Sequence, residues 1–218
     1  INELYMTLAH EGFPGHCYQF TYWLNSGDFY PINYLIGNMG YQEGWAMYVE
    51  NIMIRNGGLD KASVADLEVN NFYGYVSNAQ MDIGINYYGW TKDDLWDYLD
   101  PDHMYYASDE IDEVYDYFIA IPGTILAYGV GDALFMTYRA QAQMSLGNAF
   151  DEVEFHEVML KNGSRPFDLV QQDLIDYIHG KGYEYNDSCY AYTIETGRQP
   201  APLEYEGGDA DGGNGGNG

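Results

Sequence analysis

Apolar residues recur at helical spacing along most of the chain, and strand-like alternation is rare. Within residues 41–55, four apolar side chains fall at i, i+3, i+4 and i+7 and share one helix face: Trp45, Tyr48, Val49 and Ile52. The chain already follows a helical pattern by Leu4, with Leu8 and Ala9 at the next positions of that face. This periodicity predicts a mostly α-helical fold.

Capping residues and helix breakers mark further predicted helices. They cover residues 63–88, 91–99, 109–147, 151–162 and 166–179, with an interruption at Pro122–Gly123 in the longest of them. Residues 183–193 alternate loosely, which is compatible with either a strand or an extended tail. Helices therefore supply nearly all of the predicted structure.

Two segments differ in composition. Residues 1–205 have the pattern of one helical domain, whereas residues 206–218 consist mostly of Gly, Asp and Asn and predict a flexible tail, because such residues bury little apolar surface. The chain begins with Ile1 rather than Met and is helical almost at once. We therefore expect a fragment that lacks the N-terminal helices of a larger helical fold.

The charge balance narrows the choice of partners. The chain has 34 Asp and Glu against 8 Lys and Arg, a net charge of −26. This balance argues against nucleic acid, whose phosphates require clustered basic residues, and it would concentrate cations near the surface. No apolar run reaches the roughly 18–20 residues of a membrane span. The acidic composition favours an extracellular or cell-surface bacterial protein.

Two cysteines give little information. Cys17 and Cys189 lie far apart in the sequence and would pair only in an oxidising compartment. We expect two free, buried thiols, because two cysteines make a weak disulfide framework.

The segment from His10 to His16, HEGFPGH, carries the clearest chemistry. Two imidazoles beside a glutamate are typical of zinc peptidases, in which the histidines bind the metal and the glutamate is the general base. On a regular helix His10 and His16 would be rotated apart by about 600°, which places them on different faces. Breakers between them, Gly12, Pro14 and Gly15, can interrupt the helix and bring both rings to one ion.

A third ligand is expected, since catalytic zinc usually takes three protein ligands. Glu43 follows on a predicted helix that would pack antiparallel to the first, and Glu50 lies about two turns further on the same face, where it could orient a ligand. The alternative is coincidence, because single histidines are usually ordinary polar residues and Pro-Gly usually marks a turn.

Several blocks resemble one family, the bacterial domain of unknown function 885, whose members are regarded as helical zinc-dependent peptidases similar to angiotensin-converting enzyme. The resemblance covers roughly residues 2–180. It rests on residues 7–19 (TLAHEGFPGHCYQ), residues 43–46 (EGWA), residues 82–91, the Pro-Gly helix over residues 117–131, and residues 150–166.

The resemblance implies a helical-bundle peptidase in which His10, His16 and Glu43 bind Zn²⁺ and Glu11 is the general base. It also suggests Tyr117 and Tyr128 as catalytic residues, because a phenol can donate a hydrogen bond to the oxyanion of the tetrahedral intermediate. The implied partner is a peptide substrate, with the missing N-terminal part of the same protein completing the cleft.

The chain departs from the family at two positions. Members often carry Arg where this chain has Asp116 and His where it has Asn86. These changes leave the zinc ligands intact but affect the region expected to bind substrate. A catalytically inactive metal- or peptide-binding helical module is therefore the main alternative to a peptidase, and a purely structural helical domain is a third hypothesis.

Overall fold

The structure is a computed structural model that describes residues 2–26 and 31–188. Within these ranges it contains ten α-helices and no strand: α1 (Asn2–Glu11), α2 (His16–Asn25), α3 (Pro31–Leu35), α4 (Met39–Asn56), α5 (Lys61–Asn86), α6 (Lys92–Leu99), α7 (Ser108–Ala120), α8 (Thr124–Leu146), α9 (Glu152–Leu160) and α10 (Phe167–Gly180). The predicted all-α fold is confirmed. Residues 183–188 form no strand, while Cys189 and the predicted tail at 206–218 lie outside the described residues.

The helices α4 and α8 form the most extensive pair in the fold. They run in the same direction, since Gly44 lies against Gly131 and, one turn later, the ring of Tyr48 lies 6.0 Å from that of Phe135. A Cβ added at Gly44 would overlap the backbone of Gly131, so the two helices can approach this closely only where both residues lack side chains. This crossing fixes α4, which carries two of the predicted site residues.

Apolar side chains form two cores. The larger joins α4, α8, α9 and α10 and includes the fully buried Trp45, Tyr48, Phe135, Phe155 and Leu174. The smaller lies among α5, α6 and α7 around Leu95 and Ile111. The helix face predicted from residues 41–55 lies in the larger core, with Ile52 packed at its edge. That face is therefore confirmed.

The N-terminal helix is correctly predicted, but of its predicted face only Ala9 is buried. Leu4 and Leu8 are exposed, whereas Met6 and Ala9 are buried. The phenol of Tyr5 also points to α4 and donates a hydrogen bond to the carbonyl of Met53 at 3.0 Å. The spacing of Leu4 and Leu8 correctly identified a helix. The face of α1 that packs against α4, however, is not the face that carries these two leucines.

Most predicted helix ends lie within two residues of the observed ones. Asp60 caps α5, which begins two residues before its predicted start, by accepting hydrogen bonds from the backbone amides of Ala62 and Ser63. Thr91 and Asp94 form a reciprocal capping box at the start of α6. The predicted break at Pro122–Gly123 separates α7 from α8, and Gly123 takes the left-handed φ of +76°.

Length and composition allow no single helix of the described ranges to cross a membrane. The bent pair Ser108–Ala120 and Thr124–Ala149, with an angle of 74° between its halves, meets those two criteria when taken together.

Candidate metal centre

The predicted break between the two histidines is present. The helix α1 ends at Glu11 and α2 begins at His16, so a four-residue turn separates them. A Cβ at Gly15 would overlap the carbonyl oxygen of His10, so the turn can fold back this tightly only with glycine at that position. The indole of Trp45 donates a hydrogen bond to the carbonyl of Pro14 at 3.0 Å, which ties the turn to α4.

Three side chains converge beside this turn. The Oε2 atom of Glu43 lies 3.4 Å from Nε2 of His10 and 3.4 Å from Nε2 of His16. The ligand atoms of all three residues lie within 4.8 Å of one another. The helices α1 and α4 run antiparallel here, as expected, because Tyr5 contacts Met53 while His10 contacts Glu50 and Glu43. The structure thus brings together the three predicted zinc ligands.

Hydrogen bonds fix how each imidazole is oriented. The Nδ1 atom of His10 lies 2.6 Å from Oε1 of Glu50, which as a carboxylate can only accept. The Nδ1 atom of His16 lies 3.3 Å from Oε1 of Gln19, whose amide nitrogen donates to the carbonyl of Tyr41. Both Nδ1 atoms therefore act as donors. In the neutral rings this leaves a lone pair on each Nε2, the atom that faces Glu43.

The distances between these atoms suit ligands of one metal ion better than direct hydrogen bonds between the side chains. A distance of 3.4 Å is long for a charge-assisted hydrogen bond, and Oε2 of Glu43 is buried without a hydrogen-bond partner. Tetrahedral zinc with ligands at about 2.0–2.1 Å requires ligand atoms about 3.3–3.4 Å apart. The two distances from Glu43 match this edge. Two imidazoles and one carboxylate are also a ligand set found in zinc peptidases.

The electrostatics of the cluster favour a positive charge between these groups. Burial lowers the pKa of His10, but the carboxylates of Glu43 and Glu50 outweigh it and raise that pKa to about 9. Burial raises the pKa of Glu43, but His10 and His16 outweigh it and lower that pKa to about 2. Without a metal, protons supply the charge; a divalent cation would displace them.

Tyr128 lies beside the cluster, and Glu11 and Tyr117 lie near Tyr128. The ring of Tyr128 stacks on that of His10 at 6.4 Å, and burial together with the nearby Glu43 carboxylate raises the pKa of Tyr128. Its phenol is therefore protonated at neutral pH and able to donate. Glu11 and Tyr117 are exposed, and both lie close enough to act electrostatically on the Tyr128 phenol. All seven predicted site residues thus belong to one region.

Some supporting residues were not predicted from the sequence. Asn71 of α5 donates to Oε2 of Glu50 at 3.2 Å, and the ring of Tyr75 stacks on Tyr128 at 6.1 Å. Burial also raises the pKa of Asp132, on α8, to about 7; Asn51 is its hydrogen-bond donor at 2.9 Å. Gln19 had a local signal, since it lies three residues after His16 on one helix. The others come from distant segments and had none.

Three further residues were singled out in the sequence: Asn86 and Asp116, which depart from the family pattern, and Cys17, which was expected to be buried. Asn86 donates hydrogen bonds to Asp82 and to the carbonyl of Phe118, and so links α5 to α7. Asp116 is exposed and pairs with Lys92 at 3.4 Å. Cys17 is free but exposed, so its predicted burial is wrong: α2 turns Gln19 and Trp23 inward and Cys17 to the surface.

Residues 2–174 match the model of a family described as bacterial protein of unknown function (DUF885). The chain belongs to this family. The blocks that suggested it in the sequence include the turn between α1 and α2 and the segment of α4 around Glu43. Family membership thus covers every helix that contributes to the cluster. A comparison with curated proteins finds no match.

Two solved structures of other proteins have a fold similar to that of this DUF885 chain. One, from Colwellia psychrerythraea, is provisionally described as a lipoprotein; it is 26% identical, with a TM-score of 0.65, over 80% of this chain and 30% of that chain. The other, from Shewanella oneidensis, is provisionally described as a lipoprotein of unknown function; it is 24% identical, with a TM-score of 0.64, over 78% of this chain and 31% of that chain. The chain thus spans about a third of each.

Proposed function

We propose that this chain is the metal-binding part of a zinc-dependent peptidase. The observation that carries the proposal is the convergence of His10, His16 and Glu43, with two imidazole lone pairs and one unpartnered carboxylate oxygen directed at a common point. Glu11 follows His10 directly in the sequence and acts electrostatically on the phenol of Tyr128, whose ring stacks on His10. Metal ligands next to a general base are what hydrolysis of an amide by activated water requires.

Each residue has a distinct role in this proposal. Bound zinc would supply an activated water and polarise the scissile carbonyl. Glu11 accepts a proton from the attacking water and delivers it to the leaving amine. Tyr128, as a protonated phenol, donates a hydrogen bond to the developing oxyanion, with Tyr117 as a second candidate donor. Glu50 holds the ring of His10 in the tautomer that leaves Nε2 free.

Substitution of the base tests this proposal. We expect Glu11→Gln to bind zinc like the wild type but to hydrolyse a fluorogenic peptide library at least about 100-fold more slowly, because the amide cannot accept the proton. The matched control is Glu113→Gln, at an exposed position on α7. Equal turnover in Glu11→Gln and wild type would contradict the assigned role.

A non-catalytic metal- or peptide-binding module remains the second candidate. The observation in its favour is that the two residues that depart from the family pattern are engaged within the chain: Asn86 links α5 to α7, and Asp116 pairs with Lys92. Bound zinc without hydrolysis of any library peptide would support this candidate over the peptidase.

The proposal includes a location. Both similar structures are provisionally described as lipoproteins, which supports a bacterial cell-surface or extracellular protein. The net charge of −26 agrees with a peptide rather than a nucleic acid as the partner.

A further inference from the structure

The ring of Tyr128 stacks on a second tyrosine as well as on His10. Its centroid lies 6.4 Å from that of His10, with 18° between the planes, and 6.1 Å from that of Tyr75, with 12° between the planes. Both separations lie in the range of about 4.5–7 Å that is typical of interacting aromatic pairs. The three rings belong to α1, α8 and α5, so the stack connects a proposed metal ligand to a helix that carries no predicted site residue.

The face of α5 that carries Tyr75 makes two further contacts of this kind. Asn71, four residues before Tyr75, donates a hydrogen bond to Oε2 of Glu50 at 3.2 Å. Asp82, seven residues after Tyr75, accepts a hydrogen bond from the amide of Gly123 at 2.9 Å, directly before α8 begins. Residues four and seven positions apart share one face of a helix. This face of α5 therefore supports the Glu50 carboxylate and fixes the start of α8.

Close approach of two main chains places Tyr75 against α8. A Cβ added at Gly129 would lie 3.5 Å from both the Cβ and the carbonyl oxygen of Tyr75. The backbones of α5 and α8 therefore lie close together at the residue that directly follows Tyr128. The ring of Tyr75 is thus anchored beside Tyr128 by the packing of two helices.

Tyr75 contacts Tyr128 with its ring rather than with its hydroxyl. Burial, followed by the nearby Glu50 carboxylate, raises the pKa of Tyr75 to about 12, so its phenol is neutral at neutral pH and adds no negative charge to the site. Among the residues that the structure describes, none forms a hydrogen bond with this hydroxyl. The stacked ring is therefore the part of Tyr75 that can hold Tyr128 in place.

Resting on the proposed function, we propose that Tyr75 is a positioning residue whose ring holds the phenol of Tyr128 beside the metal centre. It acts through Tyr128 and takes no part in the reaction itself. A hydrogen-bond donor stabilises an oxyanion best when it is already in place as the charge develops. Without the ring of Tyr75, the side chain of Tyr128 loses one of its two ring contacts and gains access to other rotamers.

Kinetics of variants with and without the ring test this role. We expect Tyr75→Leu to lower kcat for a fluorogenic peptide at least about tenfold while KM changes less than about threefold, because displacing a catalytic group by about 1 Å can cost about 100-fold. Tyr75→Phe keeps the ring and should retain kcat within about twofold. Unchanged kcat in Tyr75→Leu, or an equal loss in Tyr75→Phe, would overturn the inference.

Two further variants serve as controls. Tyr105→Leu removes an exposed tyrosine ring from the loop before α7 and should behave as the wild type does. Tyr75→Met is a second variant without the ring, and it replaces Tyr75→Leu in each measurement if the latter shows no cooperative thermal unfolding.

A double-mutant cycle distinguishes positioning of Tyr128 from a general loss of structure. If Tyr75 acts through the hydroxyl of Tyr128, Tyr75→Leu should change kcat by less than about twofold in the Tyr128→Phe background, where that hydroxyl is absent. The same fold loss in both backgrounds would show that Tyr75 acts independently of Tyr128, which contradicts the inference.

NMR of the zinc-free chain tests the same role without catalysis. We expect NOEs between the ring protons of Tyr128 and His10 in the wild type and in Tyr75→Phe, and their loss in Tyr75→Leu. If the zinc-loaded wild type hydrolyses no peptide but the NOEs follow this pattern, the proposed function fails and the positioning role stands. NOEs that are absent from the wild type, or that persist in Tyr75→Leu, would overturn the positioning role whether or not the chain is active.

Discussion

The metal centre depends on how each histidine is held. The carboxylate of Glu50 lies 2.6 Å from Nδ1 of His10, and Asn71 supports that carboxylate from α5. The amide of Gln19 does the same for His16. Such partners fix the ring orientation before a metal arrives, so less order has to be gained on binding.

Replacing Glu50 tests this arrangement. Glu50→Gln keeps an oxygen that can accept from His10 but removes the negative charge that makes the imidazole a better ligand. We expect zinc affinity to fall by about 10–100-fold, measured by competition with a chromophoric chelator. Glu113→Gln should retain wild-type affinity. If Glu50→Gln binds zinc as tightly as the wild type, Glu50 does not support the site.

Between elements, the crossing of α4 and α8 determines where the ligands lie. Gly44 is adjacent to Glu43 and has no room for a Cβ against Gly131, whereas Gly74 in the middle of α5 has no neighbouring atom in that direction. We therefore expect substitution by alanine to change the free energy of unfolding in opposite directions at these two glycines.

We expect Gly44→Ala to lower the free energy of unfolding by about 1–3 kcal/mol or more, because the helices must separate. In contrast, Gly74→Ala should raise it by about 0.5–1 kcal/mol, from the better helix propensity of alanine. Urea denaturation of both variants measures the difference. A stabilising effect at Gly44, or the same loss at both positions, would contradict the close crossing.

The sequence predicts elements better than it predicts contacts between them. The break between His10 and His16 follows from local chemistry, since Pro14 cannot continue the hydrogen-bond ladder of a helix and Gly15 permits the tight turn. The exposed Leu4 and Leu8 show the limit: periodicity identifies a helix, but the face that is buried depends on what packs against it. Asn71 and Asp132 reach the region from distant segments, so no local pattern reveals them.

On the scale of the whole molecule, the protein combines a large negative charge with one cluster of possible metal ligands. The net charge of −26 attracts cations in general. Among the residues that the structure describes, only His10, His16 and Glu43 place three ligand atoms within 4.8 Å of one another. The acidic field would raise the local concentration of a cation, and the cluster would provide its site. The account therefore depends on a stoichiometric metal rather than on diffuse counterions.

The most direct test is the metal content of the purified chain after incubation with zinc and gel filtration, measured by mass spectrometry. We predict about one zinc per wild-type chain, loss of that zinc in His16→Ala, and retention in His179→Ala, whose histidine is exposed at the end of α10. A wild-type chain without zinc, or a His16→Ala variant that retains it, would contradict the account.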